Sequence, residues 1–512
     1  MKKVLFLKNA LILTATSLIL RSVGIVFRVW LAAKIGAEGI GLYQVIMSVY
    51  VLASTFATSG ISTAVTRIVT ACLAENDKKG TVRTLRISVY LSLFIAAVTA
   101  LILTAFSNQI ACSFVHDSRA GLSLKVLCIS LPFMGACSCL RGYFLARRKA
   151  LSPSFCQIIE QSVRICMVIF LINRYSQSGL SVTCAAVIFA DAVSEAVGCF
   201  AVYLCYKLDK HNIKHKACKP LGRRACMKEL LRISVPISSG RYLHTALRTI
   251  ENLITPVCFA AYCASQSRGF EQFGVIKGMA LPILLFPASL LSSVSTLLVP
   301  EMTEALEKNN NRAIRAAAEK VFYITSLLSF FIGGVFFAVS QQIGLLIYKS
   351  NDVGYLIRAL SPLVPFMYID LISDGILKGL DQQKVLFRNN VIDSLVRIAL
   401  VAVLVPNFGM TGFLGVMLFS NVFTSLMAVI RIVKITKMDL NLKIYCLKPL
   451  VAVFFSAAVM ERICRPLEKN AVLFIAAVTL GSAVLYFLLL NAFGGINTER
   501  ILNAKERAVR TF

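Results

Sequence analysis

Long apolar runs recur from one end of the chain to the other, separated by short polar segments. A bilayer core of ~30 Å needs ~20 apolar residues in one α-helix. Strands of a membrane barrel would alternate apolar and polar residues, and these runs do not. Because lipid offers backbone groups no hydrogen-bond partner, the runs must be helices. The pattern predicts an all-α integral membrane protein with 14 transmembrane helices, at residues 9–33, 40–65, 87–107, 122–145, 154–173, 180–206, 232–261, 274–299, 321–340, 355–377, 386–406, 411–433, 446–461 and 471–492.

Basic residues are distributed unequally between alternate loops. With the N-terminus inside, the inside segments and the inner ends of the spans carry 37 Lys and Arg, whereas the outside loops carry 8. Cytoplasmic loops of membrane proteins carry such an excess. We therefore predict a multi-pass protein of the bacterial cell (inner) membrane with both termini in the cytoplasm.

The longest polar loop, 207–231, lies between the sixth and seventh spans and is rich in Lys and Arg. Its central position predicts two six-helix lobes followed by two further helices. The expected domains are an N-lobe at 1–206, a cytoplasmic basic loop at 207–231, a C-lobe at 232–437, and the last two helices with a cytoplasmic tail at 438–512.

An internal repeat supports these two lobes, because several features recur at a constant offset of 233 residues. Each lobe holds an even number of helices, so both copies have the same topology. Their symmetry axis should then run along the membrane normal, as in transporters built from parallel repeats. The matching features are Gly41 with Gly274, Ser62 with Ser295, Pro132 with Pro365, Gly142 with Gly375, Glu160 with Asp393, Arg164 with Arg397, and Gly179 with Gly412.

Composition adds to this picture mainly through charge. The chain is 57% hydrophobic with a mean hydropathy of +0.75, yet its formal net charge is +29. In a membrane protein this excess reflects topology, so no nucleic-acid partner is expected. The motifs of phosphate-binding loops, serine hydrolases and zinc proteases are missing from the sequence. We expect no catalytic residues, no metal site and no cofactor.

Arginines inside the first and seventh predicted spans are the leading candidates for a binding site. A charge in the bilayer core is costly unless it is paired or hydrated. In each span the two arginines are seven residues apart and share a helix face. We predict that they line a cationic cavity between the lobes, where guanidinium groups would bind phosphate. Alternatively they pair with acids such as Glu251 or extend to the interface. The predicted substrate-binding residues are Arg21, Arg28, Arg241, Arg248 and Lys277.

Acidic residues inside the spans form a second candidate site. Glu160 and Arg164 are four residues apart, as expected for an ion pair within one helix. Two other pairs at the same spacing are both acidic, which is unfavourable without a partner. These pairs are predicted to hold a coupling ion or proton, or to meet arginines across the cavity. The candidates are Asp191, Glu195, Asp370 and Asp374.

Several segments resemble a known superfamily over nearly the whole chain. They are the stretch Leu31 to Gln44 (LAAKIGAEGIGLYQ), Ser59 to Arg67 (SGISTAVTR), Gly274 to Pro282 (GVIKGMALP) and Leu298 to Glu301 (LVPE). The chain resembles the polysaccharide-transporter, or oligosaccharide flippase, branch of the multidrug/oligosaccharidyl-lipid/polysaccharide superfamily. Within that branch it is similar to sporulation proteins of endospore-forming bacteria.

This resemblance implies fourteen helices in two lobes, a central cavity and alternating access. It implies a lipid-linked oligosaccharide as the partner, namely undecaprenyl-diphosphate-linked sugars such as a peptidoglycan precursor, for example one for the spore cortex. It also implies that basic residues of the first and seventh helices line the cavity, which agrees with the arginine pattern. Besides this substrate and the phospholipid bilayer, cell-wall synthesis proteins are candidate partners.

Other functions predict other features. A multidrug/cation antiporter of the same superfamily would have a cavity dominated by acids and aromatic residues, whereas arginines outnumber acids in the first and seventh spans. A membrane glycosyltransferase would need an outer loop that is longer than those predicted here and that carries catalytic acids. A non-transporting scaffold of wall synthesis has no need of two repeated lobes.

Overall fold

A computed structural model describes residues 2–58, 60–149, 151–175, 177–210 and 222–494, with only the backbone of 2–15, 17, 18 and 21. The chain divides into two compact units, Met1–Gly274 and Val275–Phe512. Each is built from α-helices, as the apolar runs predict.

The helices of the first unit begin with a long element that contains the first predicted span and most of the second. A break at Gly60 separates that element from the next helix, and the fourth predicted span is a pair of helices bent by 43°. The helices are α1 (Lys2–Thr58), α2 (Ile61–Ala74), α3 (Lys78–Ala105), α4 (Ser107–Gln109), α5 (Ala120–Leu127), α6 (Leu131–Ala146), α7 (Leu151–Tyr175), α8 (Leu180–Asp209), α9 (Arg223–Cys263) and α10 (Gln266–Phe273).

The second unit begins within a π-helical segment at Gly274–Ala280. Its helices α12, α13, α15 and α16 pack in succession, and α17 and α18 pack against α13. The helices are α11 (Leu281–Leu285), α12 (Ala288–Glu307), α13 (Asn311–Tyr348), α14 (Asn351–Leu360), α15 (Val364–Gly379), α16 (Gln383–Thr436), α17 (Lys448–Cys464) and α18 (Ala471–Ala492).

The number of spans differs between sequence and structure. Among the described residues, nine helices are long and apolar enough to cross a membrane, or eleven if two bent helix pairs each count as one span. Helices α1 and α16 have 57 and 54 residues. At 1.5 Å per residue each would be about 80 Å long, far more than one span needs. Both are interrupted by a non-helical glycine, Gly36 or Gly409, in a predicted outer loop. Fourteen spans therefore stays a prediction.

The backbone turns recur at the same offset of 233 residues as the sequence features. Asn76 donates its N–H to Leu73 at 3.2 Å, and Asn309 donates to Leu306 at 2.9 Å. The next residues, Asp77 and Asn310, cap the following helices with their side chains. These shared turns support the internal repeat, although the superposition of whole lobes stays a prediction. The non-glycine residues with left-handed backbone that recur are Asn76 and Asn309, His116 and Lys349, and Arg148 and Asp381.

Small residues recur with these turns. A Cβ on Gly142 would lie 2.7 Å from the carbonyl oxygen of Ser62, and a Cβ on Gly375 would lie 2.6 Å from that of Ser295. Both distances are shorter than carbon and oxygen tolerate, so each glycine permits the close approach of two helices. The repeated sequence features therefore mark equivalent helix contacts in the two units.

The boundary between the compact units lies beyond the predicted boundary between the lobes. Helix α9, which contains the predicted seventh span, packs against α1, α2, α3 and α10 and falls within the first unit. Thr249 of α9 donates to the carbonyl of Ser48 at 3.1 Å, and Asn252 donates to the Ser48 hydroxyl at 3.0 Å. The predicted lobes at 1–206 and 232–437 therefore do not coincide with the two compact units. They rest on the sequence repeat and stay a prediction.

Candidate functional site

The predicted arginines lie on helix surfaces of the first unit. Arg28 of α1 and Arg241 and Arg248 of α9 are all exposed. The side chain of Arg21 lies outside the described residues. Lys277, in the π-helical segment that opens the second unit, is half-buried. Arg28, Arg241 and Arg248 are therefore not buried in the core of the first unit.

The packing of α9 on α1 sets the direction of the α9 arginines. Tyr242 donates its hydroxyl to the carbonyl of Phe56 at 3.3 Å, and the two rings lie 4.6 Å apart. Thr249, seven residues after Tyr242, also contacts α1. Arg241 and Arg248 each precede one of these contact residues, so they form a stripe about 100° around the helix from the contact. The stripe borders the α1–α9 interface without entering it.

A second group of charges is enclosed within the first unit. Five side chains from α6, α7 and α8 form a buried ion network. Its carboxylates are mostly buried, with side-chain exposures of 12% for Glu160, 8% for Asp191 and 10% for Glu195. The network consists of Arg141, Glu160, Arg164, Asp191 and Glu195.

Arg164 is the centre of this network. Its Nε lies 2.9 Å from Asp191 Oδ1, and its terminal nitrogen lies 3.5 Å from Glu195 Oε1 and 3.7 Å from Glu160 Oε1. One guanidinium thus holds together three carboxylates that would otherwise repel one another. Ser194 accepts a further hydrogen bond from Nε at 3.4 Å.

Neighbouring residues complete the network. Arg141 of α6 binds Glu160 Oε2 at 2.7 Å, and Tyr43 of α1 donates its hydroxyl to Asp191 Oδ2 at 3.4 Å. A Cβ on Gly198 would lie 2.7 Å from Glu160 Oε2, so the glycine makes room for this carboxylate. With three carboxylates and two guanidiniums, the network has a formal charge of −1 when all five groups are ionised.

The structure modifies the sequence-based interpretation of these acids. The pair of Glu160 and Arg164 is present, but Arg164 lies closer to Asp191 than to Glu160. Asp191 and Glu195 do meet an arginine, and that arginine comes from a neighbouring helix of the same unit. The sequence analysis did not select Arg141. An arginine near the end of an apolar span nevertheless indicates a charge that is paired or hydrated.

The second unit has a simpler arrangement at the equivalent positions. Arg397 lies 3.9 Å from Asp393, which accepts a hydrogen bond from Ser420 at 2.6 Å. The positions equivalent to Asp191 and Glu195 are Thr424 and Ala428. The carboxylate pair of the first unit therefore has no counterpart in the repeat.

The other two predicted coupling residues, Asp370 and Asp374, lie on α15 in the second unit and are half-buried. Asp374 accepts from Lys378 at 3.3 Å, one helical turn away. The four predicted coupling acids are thus divided between the two units, and their coupling role stays a prediction.

Comparison with known proteins assigns the chain to a family. The polysaccharide biosynthesis protein family matches residues 6–305, more than half of the chain. The chain belongs to this family. The MatE family also matches residues 276–403. The family assignment confirms the resemblance seen in the sequence motifs.

Individual relatives agree with this family. The chain is 25% identical to "Stage V sporulation protein B" of Bacillus subtilis (strain 168), over 98% of both chains. The solved structure of "Lipid II flippase MurJ" in an inward closed conformation has a TM-score of 0.68 and 16% identity, covering 94% of this chain and 98% of that one. The predicted similarity to sporulation proteins is therefore confirmed.

A solved transporter structure has a similar fold. An inward-facing multidrug resistance MATE family transporter of the MOP superfamily has a TM-score of 0.61 and 14% identity, covering 84% of this chain and all of that one. The family member is therefore a multi-pass, all-helical membrane protein, and the two solved structures with a similar fold are a flippase and a transporter.

Proposed function

We propose that this family member is a flippase that moves undecaprenyl-diphosphate-linked sugars from the cytoplasmic to the outer leaflet of the bacterial cell membrane. The cargo would be a peptidoglycan precursor, for example one for the spore cortex. Family membership and the fold similarity to "Lipid II flippase MurJ" support transport of a lipid-linked precursor.

The exposed arginines of α1 and α9 are the observation that carries this proposal. Arg28, Arg241 and Arg248 lie within the first and seventh predicted spans and yet are exposed. An arginine facing hydrocarbon costs several kcal/mol, so exposed arginines at these positions should face water or an anionic ligand. A diphosphate suits them, because each guanidinium donates two parallel hydrogen bonds to phosphate oxygens.

The proposed mechanism is alternating access. The cavity opens to the cytoplasm, the arginines bind the diphosphate and the sugar enters water-filled space. Rocking of one lobe against the other then opens the cavity outward, while the lipid tail stays in the bilayer. Arg21 and Lys277 complete the proposed cationic lining.

Transport into proteoliposomes tests this function directly. The purified protein is reconstituted with a fluorescent undecaprenyl-diphosphate-linked disaccharide-pentapeptide, and a membrane-impermeant reagent measures how much of the label reaches the other leaflet. We expect movement that empty liposomes lack. No movement above empty liposomes, with or without a proton gradient, a sodium gradient or a membrane potential, would rule the proposal out.

A multidrug/cation antiporter is the second candidate, and the buried ion network favours it. Three carboxylates with two guanidiniums leave one negative charge that a proton or a cation can neutralise. Gradient-driven export of cationic dyes from the same proteoliposomes, with no movement of the lipid-linked sugar, would identify this activity instead. Otherwise the network serves the flippase as a coupling site at Asp191 and Glu195.

A further inference from the structure

A crevice of about 270 Å³ lies between α2, α3 and α9 of the first unit. On α3 and α2 it is lined by Leu91, Ile95 and Ile61, and on α9 by Leu231 and Val235 together with hydroxyl residues. At ~30 Å³ per water molecule its volume equals roughly nine waters, which is enough for a segment of one hydrocarbon chain.

Two of the four hydroxyl residues that line this crevice, Ser239 and Tyr242, are hydrogen-bonded to the backbone. Ser239 donates its hydroxyl to the carbonyl of Pro236 at 3.0 Å, and Tyr242 donates to the carbonyl of Phe56. Hydroxyls that are bonded to the backbone present their carbon atoms to the crevice. Val235, with 59% of its surface exposed, keeps the crevice open to the surface of the unit. The lining therefore suits a hydrocarbon chain.

Two cations continue the same face of α9 toward its N-terminus. Arg224, Lys228, Leu231 and Val235 follow one another at spacings of four, three and four residues, so they lie on one side of the helix. Both basic side chains are exposed. Like charges four residues apart repel each other weakly, and an anion between them would relieve that repulsion. The acid beside them, Glu229, lies 3.9 Å from Arg232.

The dimensions match one leaflet of a bilayer. From Leu231 to Tyr242 the helix rises about 17 Å at 1.5 Å per residue. One leaflet contributes about half of the ~30 Å hydrocarbon core. Lys228 lies one helical turn beyond the crevice, about 5 Å further along the axis. The cations are thus placed where phosphate head groups lie when an acyl chain fills the crevice.

We propose that this site binds an anionic phospholipid, with one acyl chain between α3 and α9 and its phosphate between Arg224 and Lys228. Charge complementarity selects an anionic head group over a zwitterionic one. The lipid comes from the leaflet that contains the N-terminus of α9. It packs α3 against α9 and is separate from the cargo, so this site does not depend on the proposed flippase function.

Native mass spectrometry of the full chain in detergent tests this site with phosphatidylglycerol and phosphatidylethanolamine as probes. We expect retained phosphatidylglycerol adducts, weaker binding of phosphatidylethanolamine, and roughly tenfold weaker phosphatidylglycerol binding after Arg224→Gln with Lys228→Gln. Arg232→Gln is the matched control, because that residue is also exposed on α9 but lies beside Glu229 and does not line the crevice. This control should bind phosphatidylglycerol like the unmodified chain.

A second pair of variants tests whether an acyl chain occupies the crevice. Val235→Trp fills the crevice, and Leu243→Trp, at an exposed α9 position outside it, is the control. Only the first should reduce adducts. Equal binding of both lipids, or equal loss in the paired variants and their controls, would show ordinary annular lipid and overturn the proposal. Displacement of phosphatidylglycerol by equimolar undecaprenyl diphosphate would also overturn it, because the site would then belong to the cargo. Neither outcome depends on measuring transport.

Discussion

At the scale of single residues, the charges inside the predicted spans fall into two classes. Arg164 lies among carboxylates that it neutralises, whereas Arg248 is exposed beside the α1–α9 contact. Sequence spacing identified both as unusual, since charges within spans are costly. It did not show which are enclosed, because the partners of Arg164 on α8 lie about 30 residues away along the chain.

Removing an exposed arginine should impair transport without impairing folding. Arg248→Ala should reduce flipping of the lipid-linked sugar at least tenfold while the amount of protein in the membrane stays normal. Arg248→Lys should restore only part of the activity, because an ammonium group lacks the paired donors of guanidinium. Proteoliposome flipping measures both variants, with Arg232→Ala as the control on the same helix.

The competing interpretation of Arg248 has its own signature. If the arginine only neutralises Glu251, then Arg248→Ala should misfold and adding Glu251→Ala should recover the protein. Full transport by the alanine variants of Arg21, Arg241 and Arg248 would contradict the cationic cavity altogether.

Removing an enclosed charge should destabilise the fold. Arg164→Leu leaves Asp191 and Glu195 buried without their guanidinium, which should destabilise the fold by roughly 3–5 kcal/mol. Asp191→Leu in the same chain should recover part of this loss, because the two residues are coupled. Thermal unfolding in detergent measures the effect. Lys378→Leu breaks a more exposed ion pair and should cost less than about 1 kcal/mol; equal losses in both variants would contradict the network's role.

At the scale of helices, the apolar runs located most elements but did not show how adjacent runs connect. Predicted span 9–33 and most of 40–65 lie in one element, α1, that is interrupted at Gly36 with a φ of 72°. The end of 40–65 lies in α2, beyond the break at Gly60. The fourth and eighth predicted spans are each bent pairs. Hydropathy reports burial in lipid, whereas a bend depends on backbone angles at one or two residues, which average out in a window of twenty.

Gly36 gives a test of such an interruption. No atom lies within 4 Å of a Cβ built there, so substitution brings no collision, and only its left-handed backbone opposes a side chain. Gly36→Ala should therefore destabilise the protein by about 1–3 kcal/mol. Gly24→Ala, in the helical part of α1 with equally open space, should be neutral or slightly stabilising. Melting temperatures that change equally in both variants would contradict the strain at Gly36.

At the scale of the whole molecule, the orientation in the membrane stays a prediction from the distribution of Lys and Arg. The structure changes how it should be tested. Cys226 is only 1% exposed, so its failure to react would carry no information, and Cys218 lies outside the described residues. Cys112, in the predicted outer segment, is exposed.

Labelling of single-cysteine variants in intact cells decides the orientation. With the N-terminus inside, an impermeant maleimide should label Cys112 from outside and should reach Cys218 only after the cells are opened. The reverse pattern would overturn the topology, and the cysteine-free chain serves as the background.

The repeat makes a separate prediction about the molecule. In an experimentally determined structure, residues 9–206 and 232–433 should superpose by rotation about the membrane normal, with Pro132 on Pro365 and Arg164 on Arg397. The left-handed turns that recur at the offset of 233 residues are a reason to expect this. Placement of these pairs on different helices would contradict it.

The sequence by itself determined the all-helical class, the family and the approximate positions of most apolar helices, and it predicts the period of the repeat. Each follows from hydrophobicity or local motifs, which act between residues close in the chain or recur at a constant offset. Only the tertiary structure decided that Arg141, Glu160 and Arg164 join Asp191 and Glu195, that α9 packs within the first unit, and that a crevice opens between α3 and α9. These features depend on contacts between residues far apart in the chain, and helix periodicity shows which face of a helix is apolar but not which helix covers it.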